Sequence, residues 1–358
     1  MAVANRQAKW QHQAQIVLRI RPYSDGDERG VLDLLGEAFG TWPHGLPQAT
    51  PTEVFRWKHL ENPFGRSVML IAEADGAPIG FAAWLRWRMR AGERTYEVLR
   101  AVDVAVHPAF QRRGVFAALL GEATRQFPPE AAFTLSSPNR LSRAGALGIG
   151  ARNVRVIPLF VRVPTPMRSA IRWLGAGQPG TAAGDFEPVG QAESAHSALH
   201  DGADVAALLS QLTPPAARLH TVPDLEYLRW RYADVGGYRA VRELHDGRLT
   251  GLAVFRVRVR GRGRGRARVT NVCELLVREG DHRSARRLLR RVASATAVDF
   301  VVCHFPPRST ARRAAVRGGF IRAPFGLLPT VRRLKDGVVP DPVEHEAWAL
   351  TLGDFDQL

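Results

Sequence analysis

The chain has 358 residues, a length that favours two domains. Hydrophobic residues make up 45%, which excludes wholesale disorder. No run of about 18 apolar residues occurs, which excludes a membrane span. Its formal net charge is +16, but nearly all of the positive charge comes from arginines scattered along the chain, a pattern that argues against nucleic acid as a partner. The only cysteines are Cys273 and Cys303, so we expect a cytoplasmic protein without a metal site.

The first half of the chain predicts a mixed α/β domain over residues 16–165, preceded by a flexible tail at residues 1–15. Apolar residues that alternate predict strands, and apolar residues at helical spacing predict helices. In chain order we expect a strand at 16–21, helices at 25–39 and 53–60, strands at 67–74, 79–87 and 96–106, a helix at 114–127, a strand at 132–136, a short helix at 142–148 and a final strand pair at 154–163.

Residues 166–203 are rich in proline and glycine and show no sustained period, which predicts a linker. Residues 204–358 then repeat landmarks of the first half at an offset of about 170 residues. Phe55-Arg56-Trp57-Lys58, for example, returns as Leu228-Arg229-Trp230-Arg231. The constant offset predicts a second domain of the same fold. Within it, residues 256–268 alternate arginine with valine or glycine, which predicts a β-hairpin.

A strand, a short loop and a helix that opens on glycine follow one another between residues 101 and 127. A helix N-terminus presents unpaired backbone N–H groups and the positive end of the helix dipole. Gly114 lets the main chain approach an anion without a Cβ in the way, and Arg112 and Arg113 add positive charge. The segment therefore predicts a pyrophosphate site, with an ordinary strand-to-helix crossover as the alternative.

The order of this segment resembles motif A of the GNAT (GCN5-related N-acetyltransferase) superfamily, Val-x-Val-x-Pro-x-x-Gln/Arg-x-x-Gly-x-Gly/Ala. The matching residues are Val104, Val106, Pro108, Gln111 and Gly114. The departure is Phe116, where the family has glycine or alanine. The resemblance implies two tandem GNAT-like domains, each a mixed, mostly antiparallel twisted sheet flanked by helices. The second domain is expected to be degenerate, because Glu279 and Asp281 would repel a phosphate there.

In this family, as the resemblance implies, a bulged strand offers free backbone groups to the pantetheine arm of acetyl-CoA or another acyl-CoA. The matching strand positions are Val104, Ala105 and Val106. The matching phosphate-loop positions are Gln111, Arg112, Arg113, Gly114, Val115, Phe116 and Ala117. Asn139, after the next strand, stands where relatives often touch the cofactor.

The implied reaction is attack of a substrate amine on the acyl thioester, which requires a proton acceptor. Asp103 on the motif A strand and Glu97 near its start are the candidates, and a solvated or salt-bridged carboxylate is the alternative for each. The tyrosine that many relatives use as the general acid is missing, because Ala146 occupies its position. Some tandem relatives place the chain's own terminal carboxylate in the active site, which makes Leu358 a further candidate.

The resemblance thus predicts an N-acyltransferase, with acetyl-CoA or another acyl-CoA as the donor and a primary amine of a small molecule or peptide as the acceptor. Two alternatives stay open. One is an acyl-CoA-binding or regulatory protein without catalysis, suggested by the missing tyrosine and by Phe116. The other is an aminoacyl-tRNA-dependent transferase, which a basic tandem protein permits but which has no need of a CoA phosphate loop. No feature of the sequence specifies an oligomeric state.

Overall fold

The computed structural model describes residues 18–44, 46, 49–164, 192–215, 217–233, 235–260, 266–295 and 298–355. The predicted tail at residues 1–15, most of the predicted linker and Leu358 lie outside these residues. Within the described ranges, no helix combines the length and the apolar character that crossing a bilayer requires.

Both halves of the chain alternate helices and strands. The helices are α1 (Glu28–Phe39), α2 (Pro51–His59), α3 (Val115–Gln126), α4 (Arg140–Gly148), α5 (Ala195–His200), α6 (Gly202–Leu209), α7 (Leu225–Tyr232), α8 (His282–Ser294) and α9 (Thr310–Arg317). The strands are β1 (Arg19–Pro22), β2 (Val68–Ala74), β3 (Ala77–Ala91), β4 (Arg94–Val106), β5 (Ala131–Ser136), β6 (Arg152–Asn153), β7 (Ile157–Arg162), β8 (Glu193–Ser194), β9 (His220–Thr221), β10 (Arg239–His245), β11 (Arg248–Arg260), β12 (Ala267–Val277), β13 (Phe300–Cys303), β14 (Ile321–Leu327) and β15 (Thr330–Arg333).

The strands form two mixed sheets with the same internal order. The first sheet runs β1-β2-β3-β4-β5-β15-β6, and β9 pairs with β3 beside this path. The second sheet runs β8-β10-β11-β12-β13-β7-β14. Position by position the orders correspond, except that β7 and β15 have changed places: β7 of the first half lies in the second sheet, and β15 of the second half lies in the first sheet. Neither sheet is complete without a strand from the other half of the chain, so the two sheets are interlocked.

This exchange differs from the final strand pair that we expected within the first domain at residues 154–163. The structure instead pairs β7 with β13 and β14 of the second sheet, where Val161 lies opposite both Val302 and Ile321. In the first sheet β15 fills the equivalent place between β5 and β6. Alternation specifies that a segment is extended and which of its faces is apolar, but not which sheet edge receives it.

The predicted linker also ends earlier than expected. Strand β8 and helix α5 begin within residues 192–203, and β8 joins the edge of the second sheet through Arg239↔Ser194 and Ala240↔Glu193. A two-residue strand has too few residues to show a period, so its pairing appears only in the fold. The arginine-rich hairpin is confirmed over its described residues, because β11 and β12 pair antiparallel as far as Arg260↔Ala267.

A pair of tryptophans from α2 and α7 marks the junction of the two halves. Their rings stack with centroids 5.3 Å apart. The Trp57 indole Nε1 donates to the carbonyl of Trp230 at 2.6 Å, and the Trp230 Nε1 donates to the carbonyl of Trp57 at 2.9 Å. Reciprocal bonds between equivalent residues indicate a local pseudo-two-fold axis. The tryptophan of the repeated Arg-Trp therefore packs against its own copy in the core.

Candidate functional site

A gap in the strand pairing opens between the parallel strands β4 and β5. Their pairing runs from Glu97↔Ala131 to Arg100↔Leu135 and then stops, although β4 continues for six residues to Val106. On its other edge β4 stays paired with β3 as far as Gly80↔Val106. The predicted cofactor positions Val104, Ala105 and Val106 therefore lie on a strand edge that faces the gap. Backbone groups on such an edge can pair with an extended ligand.

A β-bulge changes the direction of β4 close to the point where this gap begins. The register of β3 and β4 shifts between Phe81↔Ala105 and Ala83↔Val102, and Asp103 inside the shift has φ of +49°. Aspartate is one of the residues that tolerate this left-handed conformation. The bulge turns the Asp103 side chain toward α1 and α2, whereas Val104 and Val106 pack on the α3 face of the sheet.

The loop after β4 leads directly into α3. The Gln111 side-chain amide donates to the carbonyl of Val106 at 3.2 Å and so ties the loop to the strand. Arg112 and Gly114 both have positive φ, +63° and +82°, and Gly114 is the residue that caps α3. A Cβ at Gly114 would meet no atom within 4 Å, so the space before the helix N-terminus is open. Arg113 lies over the ring of Phe110 at 5.6 Å.

Phe116, the departure from the family motif, is accommodated by a second glycine. Its ring packs so closely on α4 that a Cβ at Gly145 would collide with it. Its neighbours Val115 and Ala117 point in opposite directions, since Val115 is buried and Ala117 is exposed. The bulky side chain therefore fills space between α3 and α4 and leaves the loop in front of α3 clear.

Asp103 is the centre of a buried charged cluster. Its carboxylate accepts from the Lys58 ammonium at 2.7 Å, from His59 Nε2 at 3.1 Å and from the Trp42 indole at 3.1 Å. Ser67 Oγ lies 3.0 Å from the other nitrogen of His59. An imidazole protonated at Nε2 satisfies both contacts.

The protonation of the cluster follows from these contacts. Burial alone would raise the pKa of Asp103, but the Lys58 charge and the His59 hydrogen bond outweigh it and hold that pKa well below its usual range. Burial lowers the pKa of His59 despite the adjacent carboxylate, so the imidazole is neutral near pH 7. Asp103 and Lys58 therefore form an ion pair that a neutral histidine helps to orient.

Glu97, the other candidate proton acceptor, does not lie in the cluster around Asp103. Glu97 lies near the start of β4 and pairs with Arg88 at 3.0 Å. Six residues separate it from Asp103, which corresponds to about 20 Å along a strand. Asn139 accepts from the backbone N–H of Ser142 at 3.0 Å and so caps α4. Leu358 lies outside the described residues.

Sequence reasoning missed three members of the site: Trp42, Lys58 and His59. The repeat offered the one signal for Lys58 and His59. These residues follow Trp57 as Arg231 and Tyr232 follow Trp230, so the two pairs occupy equivalent positions in the two halves. A buried lysine needs a partner, but nothing in the local sequence indicates an acid 45 positions away. The contact becomes visible only when α2 is placed over the bulge of β4.

Comparisons with known proteins concern the first half of the chain and the fold. Residues 19–132 match the family model for the acetyltransferase (GNAT) domain. A sequence search of characterised proteins finds no match.

Similar folds occur among solved structures. A probable N-acyltransferase from Enterococcus faecalis V583 has a TM-score of 0.58 at 12% identity, over 89% of this chain and 73% of that one. A GCN5-related N-acetyltransferase from Anabaena variabilis ATCC 29413 has a TM-score of 0.56 at 11% identity, with the same shares of 89% and 73%. Another from Kribbella flavida has a TM-score of 0.54 at 15% identity, over 90% and 73%. At these identities the likeness concerns the fold alone.

Proposed function

We propose, from the GNAT domain that residues 19–132 form, that the protein is an N-acyltransferase that moves an acyl group from acetyl-CoA or another acyl-CoA to a primary amine of a small molecule or peptide. The observation that carries this proposal is a coincidence of two features on one strand. The gap beside β4 begins after Arg100, and the open, glycine-capped N-terminus of α3 follows the end of the same strand. An extended pantetheine arm that continues into a diphosphate needs these two features in this order.

The residues around the gap fit acyl-CoA chemically. The edge of Val104, Ala105 and Val106 would pair with the amides of a pantetheine arm, as β-strands pair with extended ligands. The backbone N–H groups at the start of α3 would bind the diphosphate, and positive φ at Gly114 lets the main chain come close. When bound, the cofactor supplies an activated acyl thioester.

The acceptor amine must reach the thioester as a neutral nucleophile. Asp103 is a poor proton acceptor near pH 7, because its pKa is held low by Lys58 and His59. We therefore assign Asp103 a positioning role: its ion pair with Lys58 fixes the bulge, and the bulge fixes the strand edge beside the reacting group. We assign the acceptance of the amine proton to solvent water.

A second candidate function is acyl-CoA binding without catalysis. Two observations favour it: the acid that the bulge presents is already neutralised by Lys58, and α4 carries no tyrosine. A combined experiment separates the two functions. Acetyl-CoA is titrated into the protein by calorimetry, and thiol release is then followed with a panel of primary amines.

Amine-dependent thiol release supports the transferase. Acetyl-CoA binding without release for any amine supports the binding protein. Failure of acetyl-CoA and of longer acyl-CoA to bind would remove both. Strong, salt-sensitive binding of tRNA in the absence of any CoA effect would instead favour an aminoacyl-tRNA-dependent transferase.

A further inference from the structure

The second sheet contains a gap like that of the first. The parallel pairing of β12 with β13 stops at Val272↔Cys303, although β12 continues to Val277. A bulge lies next to this point, where the register of β11 and β12 shifts between Val254↔Glu274 and Phe255↔Val272. The second sheet therefore splays beside a bulge on its fourth strand, as the first sheet does.

Residues 351–354, which we call the plug segment, occupy this second gap. The backbone N–H of Gly353 donates to the carbonyl of Cys273, the first residue of β12 beyond the pairing, at 3.1 Å. The backbone N–H of Leu352 donates to the carbonyl of His304, directly after β13, at 3.1 Å. Two successive amides thus bridge the two splayed strands, as the backbone of an extended ligand would do.

The fit around Gly353 is close. A Cβ at this position would collide with the Tyr232 hydroxyl and the Glu274 carboxylate, and it would lie 3.1 Å from the Cys273 carbonyl. Only glycine leaves room for this approach. Thr351 Oγ1 donates to Glu274 at 3.2 Å. The plug segment is therefore seated on the acid of the second bulge.

Contacts on both sides hold the plug segment in place. The Leu352 side chain is buried with Leu159 and Ala323. The Asp354 carboxylate accepts from Thr221 at 2.6 Å, and its carbonyl accepts from the guanidinium of Arg100. Arg100 is the last residue of β4 that pairs with β5. One end of the plug segment therefore closes the second gap, and the other end touches the base of the first.

The loop after β12 gives a second reason why a nucleotide cofactor does not fit here. Glu279 and Asp281 precede α8, and the Asp281 carboxylate accepts from the backbone N–H of Ser284 at 2.9 Å. A carboxylate already occupies the helix N-terminus that would bind a phosphate.

We propose that the plug segment is an internal ligand of the second sheet: it fills the gap between β12 and β13 with the chain's own backbone, so that the protein carries one acyl-CoA site and not two. The statement that the protein has a single acyl-CoA site rests on the proposed function. The statement that the plug segment occupies the second gap rests on the contacts of that segment alone. Different measurements test the two statements.

The only two cysteines of the chain report on the gap. Cys303 is the last paired residue of β13, Cys273 follows the last paired residue of β12, and both are buried. Reaction of the native protein with a thiol reagent is expected to be slow. In Gly353→Val the added side chain expels the plug segment, and we expect labelling to accelerate by about tenfold or more while far-ultraviolet circular dichroism is retained. Gly26→Ala, at an exposed glycine with open space around it, is the matched control.

Leu352→Ala is the second variant, because it removes the side-chain anchor without steric collision and so keeps the test valid if Gly353→Val fails to fold. A smaller acceleration is expected there. Thiols that stay as protected as in the parent protein, in a folded variant of either kind, would overturn the assignment. Calorimetry with acetyl-CoA should give one site per chain, and two sites would also overturn it. If acetyl-CoA does not bind at all, the proposed function fails, whereas the labelling result still decides the occupation of the gap.

Discussion

Glu274 gives the protein a stability that falls with rising pH. This side chain is buried, accepts from the Tyr232 hydroxyl at 2.7 Å, and has its pKa raised to about 8 by burial and by the adjacent Asp354 carboxylate. In the unfolded chain the same carboxyl loses its proton near its ordinary pKa of 4.5. Between these two values the folded protein retains a proton that the unfolded chain has lost. The contribution is therefore complete below pH 4.5 and is lost as the pH rises to about 8.

The magnitude follows from one proton. The free energy of unfolding should fall by about 1.4 kcal/mol per pH unit across this window, which amounts to about 3 kcal/mol between pH 5 and 7.5. Glu274→Gln stays neutral and keeps an oxygen for Tyr232 and Thr351, so it should match the parent protein near pH 5 and exceed its stability near pH 7.5.

The test is urea unfolding of the parent protein and of Glu274→Gln, followed by tryptophan fluorescence at half-unit steps from pH 5 to 8. The difference between their free energies of unfolding isolates Glu274, because all other titrating groups contribute equally to both proteins. Glu61→Gln, at an exposed glutamate of the first half, is the matched control and should differ from the parent protein by a constant amount. A Glu274→Gln difference that is equally constant across the range would refute the reasoning, because the carboxyl would then titrate alike in the folded and unfolded chains.

Three further changes test the first half. Gly114→Glu places a carboxylate and a strained backbone in the phosphate loop, so it should weaken acetyl-CoA binding by about a hundredfold in calorimetry. An unchanged Kd would contradict a cofactor site at the start of α3. Gly145→Leu should destabilise the fold by about 1–3 kcal/mol through collision with Phe116, and adding Phe116→Ala should restore most of the loss in thermal melts. Asp103→Asn removes the carboxylate that neutralises the buried Lys58 charge and should cost about 3–5 kcal/mol of unfolding free energy. Lys58→Met in the same chain should recover much of this loss, and a loss that stays the same would mean that the pair is not coupled.

The sequence predicts the site best where its parts are close together along the chain. Gly114 follows β4 by a few residues, so one local pattern contained the strand, the loop and the start of α3. A bulge in this strand was expected only from the family resemblance, and its position at Asp103 comes from the structure, since a single register shift leaves no periodic trace in the sequence. Lys58 and His59 could not be assigned to Asp103, because their contact depends on how α2 crosses the sheet.

Strand exchange is the clearest case of information that local pattern lacks. Residues 157–162 read correctly as a strand, but the same alternation would suit the sheet of either half. The offset of about 170 residues gave a stronger signal, because it placed Trp57 and Trp230 at equivalent positions before their stacking was known.

The two halves share one architecture, and a difference in chain connection explains why we assign only one of them a cofactor. The chain that follows β7 leads onward into the second half. The chain that follows β15 instead returns across the junction, pairs with Leu219 at Trp348, and reaches the gap between β12 and β13 within a few residues. A returning segment is tethered next to this gap at a high effective concentration, so it competes with any free ligand even if each of its contacts is weak. With this gap filled, the carboxylates of Glu279 and Asp281 beside the adjoining helix displace no phosphate, whereas the space at Gly114 is open.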